Sequence, residues 1–204
     1  MHRSSHFLPL LTLAAIAATA GACAQSGNDN ARSDSSAVAT PAASAHDTSM
    51  AGRAHRANGI ADMSGNPDRD FLRMMSDHHQ SLIALAHAAI ARKDASAAVR
   101  DEARAVDTKQ DAELDTMTTM LLRAFNERYT PKPMPTDMAM NDSALLTYGS
   151  AFDRAFRETV IKHYHEGIKL MDQYLPRLTE PTLKTLVQRM RAEQTRAITD
   201  LSKR

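Results

Sequence analysis

The chain has 204 residues, with 25 Lys and Arg against 24 Asp and Glu, so its formal charge is +1. Its 12 Met outnumber the 5 Phe and 4 Tyr, and Cys occurs once. With 7 Gly and 8 Pro, this composition excludes collagen-like and disulfide-stabilised proteins. The balanced charge argues against nucleic acid as a partner, because phosphate recognition needs clustered Lys and Arg.

The segment 1–22 is predicted to be a signal peptide. Arg3 precedes an apolar run over 7–20, which is too short to span a bilayer as a mature helix. The run ends in the sequence AGAC, which is compatible with simple cleavage after Ala22 or with acylation of Cys23. Both forms of processing predict export to the periplasm, and acylation would attach the protein to a membrane as a lipoprotein.

Residues 23–66 are predicted to be a flexible linker. From residue 24 onwards they are rich in Ser, Ala, Asn, Asp and Thr and show no apolar periodicity. We interpret the His and Met residues of this segment as chance placements, the alternative being a weak metal-binding tail. They are His46, Met50, His55 and Met63.

Four long helices are predicted from 67 to 204, and no segment shows strand periodicity. Asn66 and Pro67 mark the first helix start, because Asn caps free N–H groups and Pro at the first turn loses no hydrogen bond. Thr179 is predicted to cap the fourth helix, and apolar residues recur every three or four positions in all four. The predicted helices cover about 67–92, 94–128, 142–175 and 179–204, with a Pro-containing loop over 129–141.

The segments 67–128 and 142–204 repeat one another. Each is a helical hairpin whose apolar side needs a partner, so packing the two together predicts an all-α four-helix bundle. Phe71 and Phe156 have the same separation along the chain as His78 and His163, and Gln110 and Gln194 have nearly the same one. We treat the members of each pair as equivalents in the two hairpins.

Met and His side chains on the first and third helices are the candidate functional residues. In the first helix, Met74 and Met75 each stand four positions before a His and therefore stack against it. Imidazole and thioether together favour copper, because thioethers suit Cu(I) whereas carboxylate-rich pockets suit hard cations. The candidate metal ligands are Met74, Met75, His78, His79, His163, His165 and Met171.

His163 and His165 lie about 200° apart on a helix, so they cannot both face one site. The apolar spacing favours His163. Gln110 and Gln194 are expected to hydrogen-bond to the His ligands from equivalent inner positions. A second candidate metal group in the Pro-containing loop is formed by Met134, Met138 and Met140.

Other classes of function are not expected. Met117, Met120 and Met190 are expected to pack in the core. The chain has no Glu-x-x-His sequence, which argues against a di-iron site. It also lacks a Gly-rich phosphate loop, a Cys-x-x-Cys pair and a Ser/His/Asp order, so no enzyme activity is expected.

The sequence FLRMMSDHHQSLIALA, followed by a helix with Gln110, Glu113 and Met117, resembles the bacterial envelope family catalogued as domain of unknown function 305. FDRAFRETVIKHYHEGIKLM resembles its second repeat, so the resemblance covers 67–204. It implies a ferritin-like four-helix fold and, because some members are associated with copper or silver binding and tolerance, an exported copper-binding protein. Matching the second motif pairs His79 with His165, which leaves the choice between His163 and His165 open.

A copper redox enzyme is not expected, because it would need an open coordination position that the sequence does not display. Two other functions remain open. The first is an envelope protein that binds Cu(I), or Ag(I), through Met and His for storage, buffering or tolerance. The second is a non-metal structural or protein-interaction module of the envelope, acting as a homo-oligomer or with a protein partner.

Overall fold

Five helices make up the part of the chain that the structure, a computed structural model, describes: residues 63–204. No strand occurs within that range, so the predicted all-α fold is confirmed. The predicted signal peptide, Cys23 and the linker as far as residue 62 lie outside the described residues. The helices are α1 Pro67–Ala91, α2 Ala97–Phe125, α3 Pro135–Leu145, α4 Gly149–Tyr174 and α5 Pro181–Leu201.

The helix starts follow the expected capping chemistry with one correction. Asn66 Oδ1 accepts from the Arg69 N–H at 3.1 Å, as predicted for the start of α1. At α5 the cap is Glu180, whose carboxylate accepts from the Leu183 N–H. Thr179 donates its backbone N–H to Asp68 on α1 instead. The prediction of Thr179 as the cap was wrong because Pro181 takes the first helical position and moves the cap one residue later.

The predicted loop over 129–141 contains a helix, which corrects the sequence interpretation. The helix α3 begins at Pro135 and ends at Leu145, and the next long helix begins at Gly149 instead of near residue 142. Gly149 has a φ of 56°, a left-handed conformation that glycine adopts without strain. The chain therefore turns sharply between α3 and α4.

The order of the helices explains why α3 exists. The first apolar cluster lies mainly at one end of the bundle, where α1 and α5 begin and α2 and α4 end. The second apolar cluster lies at the other end, where α1 and α5 end and α2 and α4 begin. Hence α1 and α5 run in one direction, and α2 and α4 run in the other. Because α2 and α4 are parallel, the chain must return along the bundle between them, and α3 lies in this crossover.

The two apolar clusters differ in composition although the repeat makes them equivalent. Leu183, Met190 and Leu114 of the first cluster correspond to Val99, Val106 and Ile198 of the second. The second cluster contains no Met among the described residues. All the buried methionines of residues 63–204 belong to the first cluster, namely Met74, Met75, Met117, Met134, Met171 and Met190.

Met63, which the sequence analysis placed on the linker, is partly buried and packs against the first cluster. None of the helices between residues 63 and 204 is long and apolar enough to cross a membrane.

Candidate metal-binding site

A layer of buried polar side chains separates the two apolar clusters. Every helix contributes to it. The four long helices carry these polar residues where their apolar sides pass from one cluster to the other, and α3 adds two from the crossover. We call it the polar layer. Its members are His78, His79, Ser81, Gln110, Glu113, Asp137, Asn141, His163 and Gln194.

His78 is held by hydrogen bonds at both ring nitrogens. Its Nδ1 lies 2.8 Å from Asp137 Oδ2, and its Nε2 lies 3.1 Å from the His163 carbonyl oxygen. A carbonyl oxygen only accepts, so Nε2 carries a hydrogen. The second nitrogen faces a carboxylate, and one further proton is therefore shared between His78 and Asp137.

The His163 ring is held by Asn141. The Asn141 Nδ2 donates to the Ser81 carbonyl at 2.8 Å, which turns its Oδ1 toward His163 Nε2, also at 2.8 Å. Nε2 is therefore the protonated nitrogen of His163. Burial, together with the neighbouring His78, lowers the pKa of His163 to about 3. The ring is neutral at pH 7, and its Nδ1 carries a lone pair.

This Nδ1 of His163 is buried and has no hydrogen-bond partner among the described residues. It lies 4.0 Å from Asp137 Oδ2, and the rings of His78 and His163 are 5.3 Å apart between centroids. One donor atom from each of His78, Asp137 and His163 lies within 4.8 Å of the others. Two imidazoles and a carboxylate from three helices therefore converge on one buried point.

The charge of Asp137 is maintained despite its burial. Burial alone would raise the pKa of this carboxyl, but the hydrogen bond and charge of His78 outweigh it and lower the pKa. The cluster thus offers an ionised oxygen and an imidazole lone pair. These donors fit a cation such as Cu(II) or Zn²⁺, and Asn141 orients the His163 ring as outer partners do in metal sites.

His79 points away from this cluster toward α2. Its Nε2 lies 2.9 Å from Glu113 Oε2, and Lys109 Nζ lies 3.0 Å from Glu113 Oε1. Burial lowers the pKa of His79, although Glu113 opposes the shift. The pKa of Glu113 is lowered too, because His79 and Lys109 outweigh the effect of burial. The structure therefore pairs His79 with Glu113 instead of placing it beside His163.

Gln194 approaches His78 across Gly167. A Cβ atom at Gly167 would lie 2.9 Å from Gln194 Oε1 and 3.1 Å from His78 Nε2. Any larger residue would have to displace one of these side chains, so the glycine permits the close approach. Gln194 is buried as expected, and Oε1 finds no hydrogen-bond partner within residues 63–204. Gln110, its equivalent in the first hairpin, is also buried.

The remaining predicted ligands lie outside the cluster of His78, Asp137 and His163. His165 is exposed on the outer side of α4, whereas His163 is fully buried, so the spacing of the repeat identifies the inner histidine. Met138 is half-buried on α3, with its sulfur 3.7 Å from Asn141 Nδ2, and Met140 is also half-buried. The four candidates that pack in the first apolar cluster are Met74, Met75, Met134 and Met171.

Sequence reasoning missed Asp137 and Asn141, which complete the cluster. They are four residues apart, the spacing that places two side chains on one face of a helix. Pro135, two residues before Asp137, was the available signal for a helix start. Both were overlooked because the surrounding Pro-rich segment has no apolar side.

The fold and the cluster define a helical-bundle protein with a buried site of two histidines and one carboxylate. The chain belongs to the family described as Domain of unknown function (DUF305), whose profile matches residues 16–121 and 68–204. The family resemblance noted in the sequence is thereby confirmed.

Solved structures with a similar fold include three forms of one protein. "CopM in the Cu(I)-bound form" is 21% identical, with a TM-score of 0.56 over 67% of this chain and 93% of that one. "CopM in the Cu(II)-bound form" is 24% identical, with a TM-score of 0.54 over 67% of this chain and 94% of that one. "CopM in the apo form" is 23% identical, with a TM-score of 0.55 over 67% of this chain and 93% of that one. At these identities the likeness establishes the fold. No curated protein matches the chain in sequence.

Proposed function

We propose that this protein binds copper in the polar layer and that it acts as an exported copper-binding protein of the cell envelope. The observation that carries the proposal is the lone pair of His163 Nδ1, which is buried without a partner among the described residues beside Asp137 and His78. An unsatisfied buried polar atom costs about 1–3 kcal/mol. His79 Nδ1 is also buried without a partner among the described residues, but the free nitrogen of His163 lies 4.0 Å from Asp137 Oδ2, a separation that lets both atoms bind one cation.

His78, Asp137 and His163 would hold the ion. A cation that takes Asp137 and His78 must displace the proton they share, so binding would release a proton. Bound copper would act as a Lewis acid that accepts electron pairs from the histidine nitrogens and the Asp137 oxygen. Asn141 keeps the proton of His163 on Nε2 and thereby keeps Nδ1 available as a ligand.

Three features favour copper over other cations. Among divalent ions of the first transition row, copper binds nitrogen and oxygen donors most tightly. The first apolar cluster, which borders the polar layer, contains all the buried methionines of the described residues, and the second cluster contains none. CopM, which has a similar fold, has been solved in Cu(I)-bound, Cu(II)-bound and Ag-bound forms. The unequal methionine content supports a role for thioethers in holding the reduced ion.

Burial of the donors suits storage, buffering or tolerance better than catalysis. All three side chains are nearly inaccessible to solvent, so a bound ion would be shielded from larger reactants. The predicted signal peptide supports a location in the periplasm, where an exported copper-binding protein would meet the ion.

The alternative is a structural or protein-interaction module. It is favoured by His78, whose two nitrogens are satisfied without any ion. Exposed Leu146 and Tyr148 near the start of α4 offer an apolar surface for a partner. This alternative predicts that the mature protein takes up no copper.

Copper competition against a chromogenic chelator separates the two functions. The mature protein is titrated beside the double variant His78→Gln/His163→Gln. A matched control, His87→Gln/His165→Gln, also removes two histidines, both of them exposed. We expect stoichiometric uptake by the wild type and the control and its loss in the first variant. Equal uptake by all three proteins would contradict the site.

A further inference from the structure

The donors of the polar layer are buried, so an ion needs a route to them. We propose that cations reach the layer through the cavity between α2 and α5, and that the side chain of Lys109 is the gate of this route. This inference rests on the proposed copper-binding function.

The repeat locates the route. Residues that touch their own equivalents must lie near the axis that relates the two hairpins. His78 and His163 are equivalent, and their rings meet between α1 and α4. Lys109 and Glu193 are equivalent too, at the same separation as Gln110 and Gln194, and they form an ion pair between α2 and α5. The axis therefore runs from this surface ion pair to the histidine pair inside.

The opposite end of the axis is covered by the crossover. Asp137 and Asn141 of α3 bond to the two histidines there. The segment before α3 is anchored on α1, because Asp77 accepts from Tyr129 Oη at 2.7 Å and Ser81 Oγ accepts from the Met134 N–H at 2.8 Å. Access along the axis is therefore expected on the α2 and α5 side.

A cavity of about 40 Å³ lies on that side. This volume exceeds the minimum for one water molecule, about 10–15 Å³. Gln194, whose buried Oε1 has no partner in the described part of the chain, lines the cavity and also borders Gly167 next to His78. An amide oxygen thus faces the path between the cavity and the histidine pair. The other lining residues include Lys109, Glu113, Tyr164, Glu193 and Ala197.

A departure from the repeat leaves this space free. Ala197 occupies the position in the second hairpin that is equivalent to Glu113 in the first, and both line the cavity. A second glutamate here would extend into the cavity and place a like charge opposite the first. The small side chain keeps the passage open on the α5 side.

Lys109 occupies the mouth of the passage. Its ammonium group lies 3.0 Å from Glu113 Oε1 and is also paired with Glu193. The side chain is 44% exposed, and a lysine on a flexible stem can swing into solvent. An entering cation would replace the ammonium group between the two carboxylates and then pass Gln194. While Lys109 is in place, it repels cations and covers the buried pair of Glu113 and His79.

The test compares Lys109→Met with Lys169→Met, which removes an exposed lysine paired with Glu166 on α4. Cu(II) exchange with a chromogenic chelator is followed by stopped flow in both directions. We expect Lys109→Met to take up and release Cu(II) on the order of fivefold faster than the wild type, because the ammonium group no longer closes the mouth of the passage, and Lys169→Met to behave as the wild type. Release is decisive, because loss of a positive charge alone would slow it, whereas loss of a gate accelerates it.

Filling the cavity gives the reverse prediction. Ala197→Phe should slow uptake and release without a comparable change in affinity, and Ala197→Leu serves if the larger side chain prevents folding. In the metal-free protein, Lys109→Met should also make His79 more reactive toward diethyl pyrocarbonate. If Lys109→Met and Ala197→Phe both bind copper at wild-type rates, the proposed route is wrong, but the proposed copper-binding function is not affected. Absence of copper binding by the wild type would instead overturn the proposed function.

Discussion

Asp137 Oδ2 lies 2.8 Å from His78 Nδ1, although the two residues are 59 positions apart in the chain. The hydrogen bond joins the crossover helix α3 to α1 in the middle of the bundle. The same oxygen is 4.0 Å from His163 Nδ1. Asp137 thus links the two histidines that the repeat makes equivalent, and it supplies the negative charge that a cation between them would need.

Replacing Asp137 with Asn should abolish tight copper binding while keeping the fold. The amide oxygen can still accept from His78, but the anionic ligand is lost, and we expect the dissociation constant to rise on the order of 100-fold. Chelator competition measures the change. Asp142→Asn, on the exposed side of the same helix, is the control. Equal affinity in the two variants would show that Asp137 is not a ligand.

Substitutions of His163 and His165 are expected to have different effects on copper uptake. His163→Gln removes a buried donor and should eliminate copper uptake, whereas His165→Gln changes an exposed side chain and should leave uptake unchanged. The two variants are matched, since each replaces one histidine on α4 with glutamine. Loss of uptake in His165→Gln alone would favour the motif-based alignment of the second repeat and contradict the site described here.

Asn141→Leu should affect stability and binding together. The variant removes the acceptor for His163 Nε2–H and the donor to the Ser81 carbonyl, so we expect the free energy of unfolding to fall by about 1–3 kcal/mol. His163 can then move its proton to Nδ1, which weakens copper binding. Nitrogen chemical shifts of the ring report the tautomer, and urea unfolding reports the stability. Ser143→Ala, exposed on α3, should change neither quantity.

The metal-free protein should lose stability as the pH falls from 7 to 5. Burial lowers the pKa of His163 to about 3 from an ordinary value of 6.5, and it also lowers the pKa of His79. Below pH 6.5 the unfolded chain therefore binds protons that the folded chain does not. His163 alone should lower the free energy of unfolding by about 0.7 kcal/mol between pH 7 and 6 and by about 1.2 kcal/mol between pH 6 and 5.

Urea unfolding at pH 7, 6 and 5 measures this slope. Asp137 and Glu113 have lowered pKa values, so the stability they confer is lost only as the pH falls below about 4.5. They do not contribute in this window. His163→Gln should show a shallower slope than the wild type. A free energy of unfolding that stays constant or rises between pH 7 and 5 would contradict the neutral, buried state of His163.

Much of the bundle could be predicted from the sequence because α1, α2 and α5 carry regular apolar sides. The spacing of the repeat also identified His78 and His163 as equivalents, and they meet in the structure. The helix α3 could not be predicted in this way. It has no apolar side, and its place follows from the parallel course of α2 and α4, which periodicity does not reveal.

The candidate site was harder to predict than the fold. Asp137 and Asn141 joined the site through a long-range contact of the crossover, whereas the motif directed attention to Met–His neighbours on α1. The roles of Met74, Met75 and Met171 as ligands stay predictions, as do those of Met134, Met138 and Met140. The structure accounts for Met74, Met75, Met134 and Met171 by packing in the first apolar cluster.

Anomalous X-ray scattering at the copper edge, from crystals of the copper-loaded mature protein, would locate the bound ion. We predict a copper peak between His78, Asp137 and His163, and its loss in crystals of Asp137→Asn grown and loaded in the same way. A fully occupied peak elsewhere in the molecule, with none at these three side chains, would contradict this prediction.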